Sequence, residues 1–109
     1  MMINKLYVVR INNLVCGVML LKDRDNEFWD DEKPAYYIHH LTTDINKKGI
    51  GKILIKYAIE QGINDNKKYL RLDCFKESLF LNEYYKSFGF VNVGEGKIGN
   101  YEYNLLEKN

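Results

Sequence analysis

Asn46-Lys47-Lys48-Gly49-Ile50-Gly51-Lys52 is the stretch whose neighbours decide the fold, because it joins two segments of different periodicity. Before it, Ala35 to Thr42 (AYYIHHLT) alternates as a strand does, with Tyr37, His39 and Leu41 facing one way and Tyr36, Ile38 and His40 the other. After it, Ile50, Ile53, Leu54, Tyr57, Ala58 and Gln61 recur at the spacing of one buried helical stripe, and Gly62 and Asn64 supply the stop. A second strand follows, Tyr69 to Phe75, with Leu70, Leu72 and Cys74 on one face. Strand, glycine turn, helix and strand make one βαβ crossover.

Working outward, Ser78 is a good N-cap for a helix whose stripe is Phe80, Leu81, Tyr84, Tyr85 and Phe88, and Gly89 sits at the C′ position. Phe90 to Gly94 and Tyr101 to Leu106 read as two last strands joined by a Gly-rich loop that includes Gly96 and Gly99. At the front, Leu6 to Ile11 and Leu14 to Leu21 flank Asn12-Asn13, a pair that tolerates positive φ and suits a tight hairpin. Lys22 to Pro34 is a charged loop, expected to be solvated, though Trp29 in its middle should dock on something. The order β-β-β-α-β-α-β-β predicts an α+β fold, helices on a mostly antiparallel sheet with a central βαβ crossover. No repeat or linker divides residues 1–109, so a single domain is expected.

Composition excludes several classes. Sixteen Lys and Arg against fifteen Asp and Glu leave a net charge of +1, too little field to capture nucleic acid or an anionic membrane. The longest apolar run, Leu14 to Leu21, falls far short of the ~18–20 residues that span a bilayer. Cys16 and Cys74 form neither a metal spacing nor a disulfide framework. These features lead us to expect a reduced, cytoplasmic protein.

The glycine turn has two readings. One is a plain helix start with solvated lysines. In the other, unpaired first-turn N–H groups and the positive end of the helix dipole form an anion site suited to a pyrophosphate, with Lys47, Lys48 and Lys52 around it. A Walker A loop is excluded by Ile53 after Gly51-Lys52, and a Rossmann fingerprint by Leu54 where a third glycine belongs. Histidine is the residue type whose ordinary titration range suits a base at neutral pH, which makes His39 and His40 candidates, but on opposite faces they could not chelate one metal. Asp73 is a weaker base candidate, expected instead to cap or to pair with Arg71 or a lysine. By periodicity alone Tyr85 is a core aromatic.

The turn does not stand alone. Leu70-Arg71-Leu72-Asp73-Cys74, then Ser78, then Tyr84-Tyr85-Lys86-Ser87-Phe88-Gly89-Phe90 follow it at compatible spacing. This succession resembles the GNAT superfamily of acyl-CoA-dependent N-acetyltransferases. Its marks are a Q/R-x-x-G-x-G/A loop, a strand, an Asn-capped helix and a Y-x-x-x-G-F ending. The resemblance implies acetyl-CoA as co-substrate, no metal, and a small-molecule or peptidyl primary amine as acceptor. It implies that backbone amides of Lys48, Gly49, Ile50 and Gly51 hold the CoA pyrophosphate, with Lys47 and Lys52 nearby. Leu41 and Thr42 would pair their backbone with the pantetheine arm, and Ser78 would stand for the usual Asn at the cofactor side. A splay between that strand and Tyr69–Phe75 would admit the thioester. Tyr85 would protonate the leaving thiolate, a role for which a phenol of pKa ~10 is suited. A backbone N–H near Leu41 would polarise the carbonyl, and His39, on the face that meets the acceptor in relatives, would act as base directly or through water. Direct attack leaves Cys74 without a nucleophilic role.

The chain also departs from that pattern. Asn46 replaces Gln or Arg, and the connection from Leu41 to Gly49 is shorter than usual and lacks the family's Pro. The family's first strand and first two helices, which wall the acceptor site, are expected to have no counterpart. The alternative expectation is therefore a truncated, non-catalytic CoA-binding module completed by homodimerisation or by a partner chain.

Overall fold

Asn12 and Asn13 both adopt positive φ, 52° and 68°, and close the first hairpin as their side chains allow. A computed structural model of the protein describes residues 4–109. The elements are β1 (Asn4–Ile11), β2 (Leu14–Lys22), β3 (Ala35–Thr43), α1 (Ile50–Asn64), β4 (Tyr69–Phe75), α2 (Leu79–Lys86), β5 (Val91–Ile98) and β6 (Tyr101–Lys108). They occur in the expected order and build one six-stranded sheet, β1-β2-β3-β4-β6-β5. Only β3 and β4 are parallel, as the helical crossover between them requires.

Helices α1 and α2 pack on one sheet face, but of the stripe expected for α2 it is Tyr85 that is buried, with Leu81, Tyr84 and Phe88 partly so, while Phe80 is exposed. Tyr36, Ile38, Leu70, Leu72, Cys74 and Leu106 from the strands share that core with Leu54, Ile55, Ala58 and Tyr85. Each fully buried aliphatic side chain here is worth about 1.5–3 kcal/mol of transfer free energy. The α1 stripe is rotated from the expected one: Ile50, Leu54 and Ala58 are buried with Ile55 and Gly62, while Ile53 and Tyr57 stay largely exposed. Gly17 of β2 admits the helix, since a Cβ there would run into Ile50 and crowd Leu54. On the opposite sheet face Trp29, Ala35 and Tyr37 form a second small core, so the charged loop folds back over the sheet and Trp29 docks as expected.

Two local readings are corrected. β5 continues past Gly94 to Ile98, so Gly96 lies within a strand, not in a loop. A Cβ at Gly96 would collide with the Tyr103 ring across the ladder, so glycine serves there for close approach rather than turning. In β3 the alternation breaks. Val18 pairs with Thr42 and Leu20 with His39, which leaves an extra residue on β3, and His40 takes a left-handed φ of 54°. This bulge re-aims the chain, and His39 and His40 line the same cleft with ring centroids 6.2 Å apart.

Candidate active site

The parallel ladder between β3 and β4 stops at Ile38 opposite Leu72. Beyond that point the strands part, and a cleft of about 630 Å³ opens between His39–Leu41 on one side and Asp73–Phe75 on the other. Lys22 at the end of β2, loop residues Arg24 to Phe28, Tyr101 of β6, and Leu81 and Tyr85 of α2 complete its walls. The bulge at His40 and the end of pairing coincide, so the sequence of β3 itself creates the opening.

Tyr85 reaches this cleft from α2, and the helix is tied down in the turns that precede it. Ser78 caps the helix by accepting the Leu81 amide at 3.2 Å, as its position predicts. One turn before Tyr85, the buried Asn82 donates to the carbonyls of Phe75 (3.0 Å) and Ser78 (2.7 Å) and accepts from the Asn104 amide at 2.9 Å. Burial pushes the Tyr85 hydroxyl up to about 12, with Cys74, Tyr84 and Asp73 adding to the effect, so it is held protonated. Burial likewise raises the neighbouring Cys74 thiol to about 11, the opposite of what an activated nucleophile needs.

His39, Asp25, Asp73 and Tyr101 meet across the cleft. His39 Nε2 lies 2.9 Å from Asp25 Oδ2. Tyr101 donates its hydroxyl to Asp73 Oδ2 at 2.7 Å, so Asp73 pairs with neither Arg71 nor a lysine. Burial raises the Asp73 carboxyl above its ordinary value despite that bond. Burial would raise Asp25 too, but hydrogen bonds from His39 and from the Phe28 and Glu27 amides prevail and hold it low. Donor atoms of Asp25, His39 and Asp73 lie within 4.8 Å of one another, a spacing that would fit a cation. Each of the three side chains already faces a protein group: Asp25 and His39 face each other, and Asp73 accepts from Tyr101.

The loop that delivers Asp25 is anchored by Arg71, which is only 1% exposed. Its guanidinium meets Asp31 through both terminal nitrogens (3.2 and 3.1 Å), Glu107 through Nε (2.8 Å) and the Tyr37 hydroxyl (3.0 Å). It also lies 4.1 Å from the centre of the Trp29 ring. Arg71, Asp25 and Tyr101 were not singled out from the sequence, because their partners lie on elements far along the chain.

At the far end of β3 the glycine turn starts α1. Gly49 is left-handed (φ 83°), makes no side-chain cap, and no acidic residue occupies the first turn. The first helical bond runs from the Ile53 amide to the Gly49 carbonyl, which leaves the amides of Ile50, Gly51 and Lys52 outside the intrahelical ladder. Gly51 sits under Tyr84, whose hydroxyl a Cβ would strike.

A profile of the acetyltransferase (GNAT) family matches residues 3–90. The chain belongs to the GNAT acetyltransferase family. Among curated GNAT relatives, it is 31% identical over 103 residues to an uncharacterised N-acetyltransferase of Bacillus subtilis, YesJ, covering 87% of this chain and 55% of the relative. It therefore spans about half the length of that relative. Solved structures share the fold: a Bacillus subtilis acetyltransferase in complex with CoA (TM-score 0.78, 16% identity, 97% of this chain and 76% of that one). A GNAT acetyltransferase of Elizabethkingia anophelis with acetyl-CoA bound gives 0.73, with 20% identity over 96% of this chain and 75% of that one. Arabidopsis thaliana Naa50, in complex with the bisubstrate analogue CoA-Ac-MVNAL, gives 0.76, with 17% identity over 95% and 72%. Among the described residues no helix of this GNAT chain is long and apolar enough to cross a membrane.

Proposed function

We propose that this chain moves an acetyl group from acetyl-CoA to a primary amine, small or peptidyl, by direct attack within the β3–β4 cleft. One observation carries the reading: the strands part beside a buried, protonated tyrosine, just where a thioester would have to enter. The amides of Lys48, Gly49, Ile50 and Gly51, unopposed by any first-turn acid, receive the pyrophosphate, and Lys47 and Lys52 screen its charge. Freed from β4, the Leu41 and Thr42 backbone accepts the pantetheine arm and polarises the acyl carbonyl. Ser78, already the α2 cap, borders the cofactor side. The amine nitrogen attacks the carbonyl carbon, the C–S bond breaks, and the Tyr85 hydroxyl gives its proton to the departing thiolate. His39 removes the excess proton from the acceptor nitrogen. No metal enters the scheme. The free thiols of Cys16 and Cys74 suit a reducing, cytoplasmic setting, and we assign neither nucleic acid nor membrane as a partner.

A second reading is favoured by the β1–β2 edge. Leu6, Val8, Leu14 and Val15 are exposed there, as for a CoA-binding module that a second copy or a partner chain completes. Calorimetric titration with acetyl-CoA, with ATP as control, followed by an amine panel read by mass, tests both readings. Selective micromolar binding with acetylation supports the enzyme, and Tyr85→Phe should then lower kcat by about 10²-fold at unchanged acetyl-CoA affinity. Binding without transfer by the monomer supports the module. Failure to bind at millimolar acetyl-CoA refutes both.

A further inference from the structure

We propose that Asp25 is a positioning residue for His39: the loop carboxylate holds Nε2–H and leaves Nδ1 as the proton acceptor on the acceptor side of the cleft. This inference rests on the acetyl-transfer reading above.

Asp25 stands in a loop of exposed charges, yet its side chain is only 5% exposed. Its Oδ1 accepts the amides of Glu27 (3.1 Å) and Phe28 (3.2 Å), so the loop's own turn fixes the carboxylate. That leaves Oδ2, which lies 2.9 Å from His39 Nε2. Both atoms are buried, and among the described residues neither makes a hydrogen bond of standard geometry, so this 2.9 Å approach is the polar contact each of them has. A buried carboxylate is tolerated only when its lone pairs are met, and here two backbone amides and one imidazole meet them. The Arg71–Asp31 clamp holds the loop against the sheet, so the pair does not depend on a mobile segment.

The other groups that face His39 do not take this place. Asp73 of β4 is engaged by Tyr101 and is shifted toward its neutral form. The His40 ring, 6.2 Å away, follows it on β3, and Tyr85 of α2 lies across the cleft. Lys22, Arg24 and Glu27 border the cleft from the loop side.

A carboxylate on one imidazole nitrogen sets the tautomer and stabilises the imidazolium as it forms, without itself taking the proton. When the amine has added to the acyl carbon, Nδ1 takes one N–H proton. The imidazolium then returns that proton to solvent, and Asp25 stays ionised throughout.

Asp25→Asn tests this, because the amide oxygen can still accept both loop amides while the anionic partner is lost. If Asn disturbs the loop, Asp25→Ser also keeps an acceptor. The first readout needs no turnover: the imidazole nitrogen shifts of His39, followed by NMR, should report an Nε2–H tautomer in the wild type, and that preference should be lost in the variant, whose amide offers no anion to Nε2. In turnover, kcat/KM for the amine should drop about 10²-fold with acetyl-CoA affinity unchanged. In a His39→Gln background, Asp25→Asn should cost nothing further. A His39 tautomer unchanged in the variant, or losses that multiply in the double variant, would overturn the inference while wild-type activity upheld acetyl transfer. A wild type that shows the Nε2–H tautomer but acetylates no amine would instead sink the acetyl-transfer reading, and the base role with it.

Discussion

Replacing Arg71 by Met should be strongly destabilising although Arg71 lies outside the cleft. The substitution keeps much of the volume but removes the charge from a position 1% exposed. Asp31, with 45% of its side chain exposed, is rehydrated, so its share of the loss is that of a surface pair, about 0–1 kcal/mol. Glu107 is different: 13% exposed and 2.8 Å from Nε, it is left as a poorly solvated carboxylate. Removing one partner of a buried pair costs about 3–5 kcal/mol, and the partial exposure of Glu107 points to the lower end, about 3 kcal/mol. At this chain length that is a drop in Tm on the order of 10–20 °C. Urea unfolding followed by far-UV circular dichroism measures it, with the m-value as a check that the unfolded state is unchanged. The control is Arg71→Met with Glu107→Gln, which removes the stranded charge and should recover at least half of the loss. An Arg71→Met protein within about 0.5 kcal/mol of wild type would refute the argument. So would a double variant no more stable than the single one.

Acid stability should depend on Asp31. The Arg71 hydrogen bonds hold its carboxyl below the ordinary 3.8, so its contribution is complete above that value and is lost as pH falls through the depressed one. Asp31→Asn should accordingly flatten the acid limb of a stability-against-pH curve, and a limb left unchanged would contradict the assignment. Gly51→Ala should cost about 1–3 kcal/mol, because the new methyl strikes the Tyr84 hydroxyl. In a Tyr84→Phe background the penalty should largely vanish, since the next ring atom is 3.4 Å away, and thermal melts of the four proteins decide it.

Much of the fold was readable because the relevant physics is local. Asn12-Asn13, the β3 alternation up to His39, the Ser78 cap and the order of elements depend on neighbours within a few residues. What escaped was set by distant partners. The charged loop reads as solvated until Arg71 and Trp29 are seen to share one buried site. Asn82 sits on a helical face as any polar residue might, and only the Phe75 carbonyl and Asn104 explain its burial. His40 was assigned by strict alternation, which one extra residue in the β2–β3 register overrides. At Gly96 the glycine signal was correct in kind, but its cause is a tyrosine across the ladder. The candidate site follows the same rule: Tyr85 and the glycine turn were legible as motifs, whereas Asp25 and Tyr101 join the cleft only through tertiary contact.

The strand order also divides the work of folding unevenly. The hairpins β1–β2 and β5–β6 at the two edges pair residues close in sequence and can close quickly. β4 has no such partner: Ala35 must find Tyr69 on one side, and Leu70 must find Lys108 on the other. The largest loop-closure entropy therefore falls on the strand that carries both Arg71 and Asp73. Hairpins alone would leave the loop clamp and the cleft unformed, so both arise only when the last and least local strand is in place.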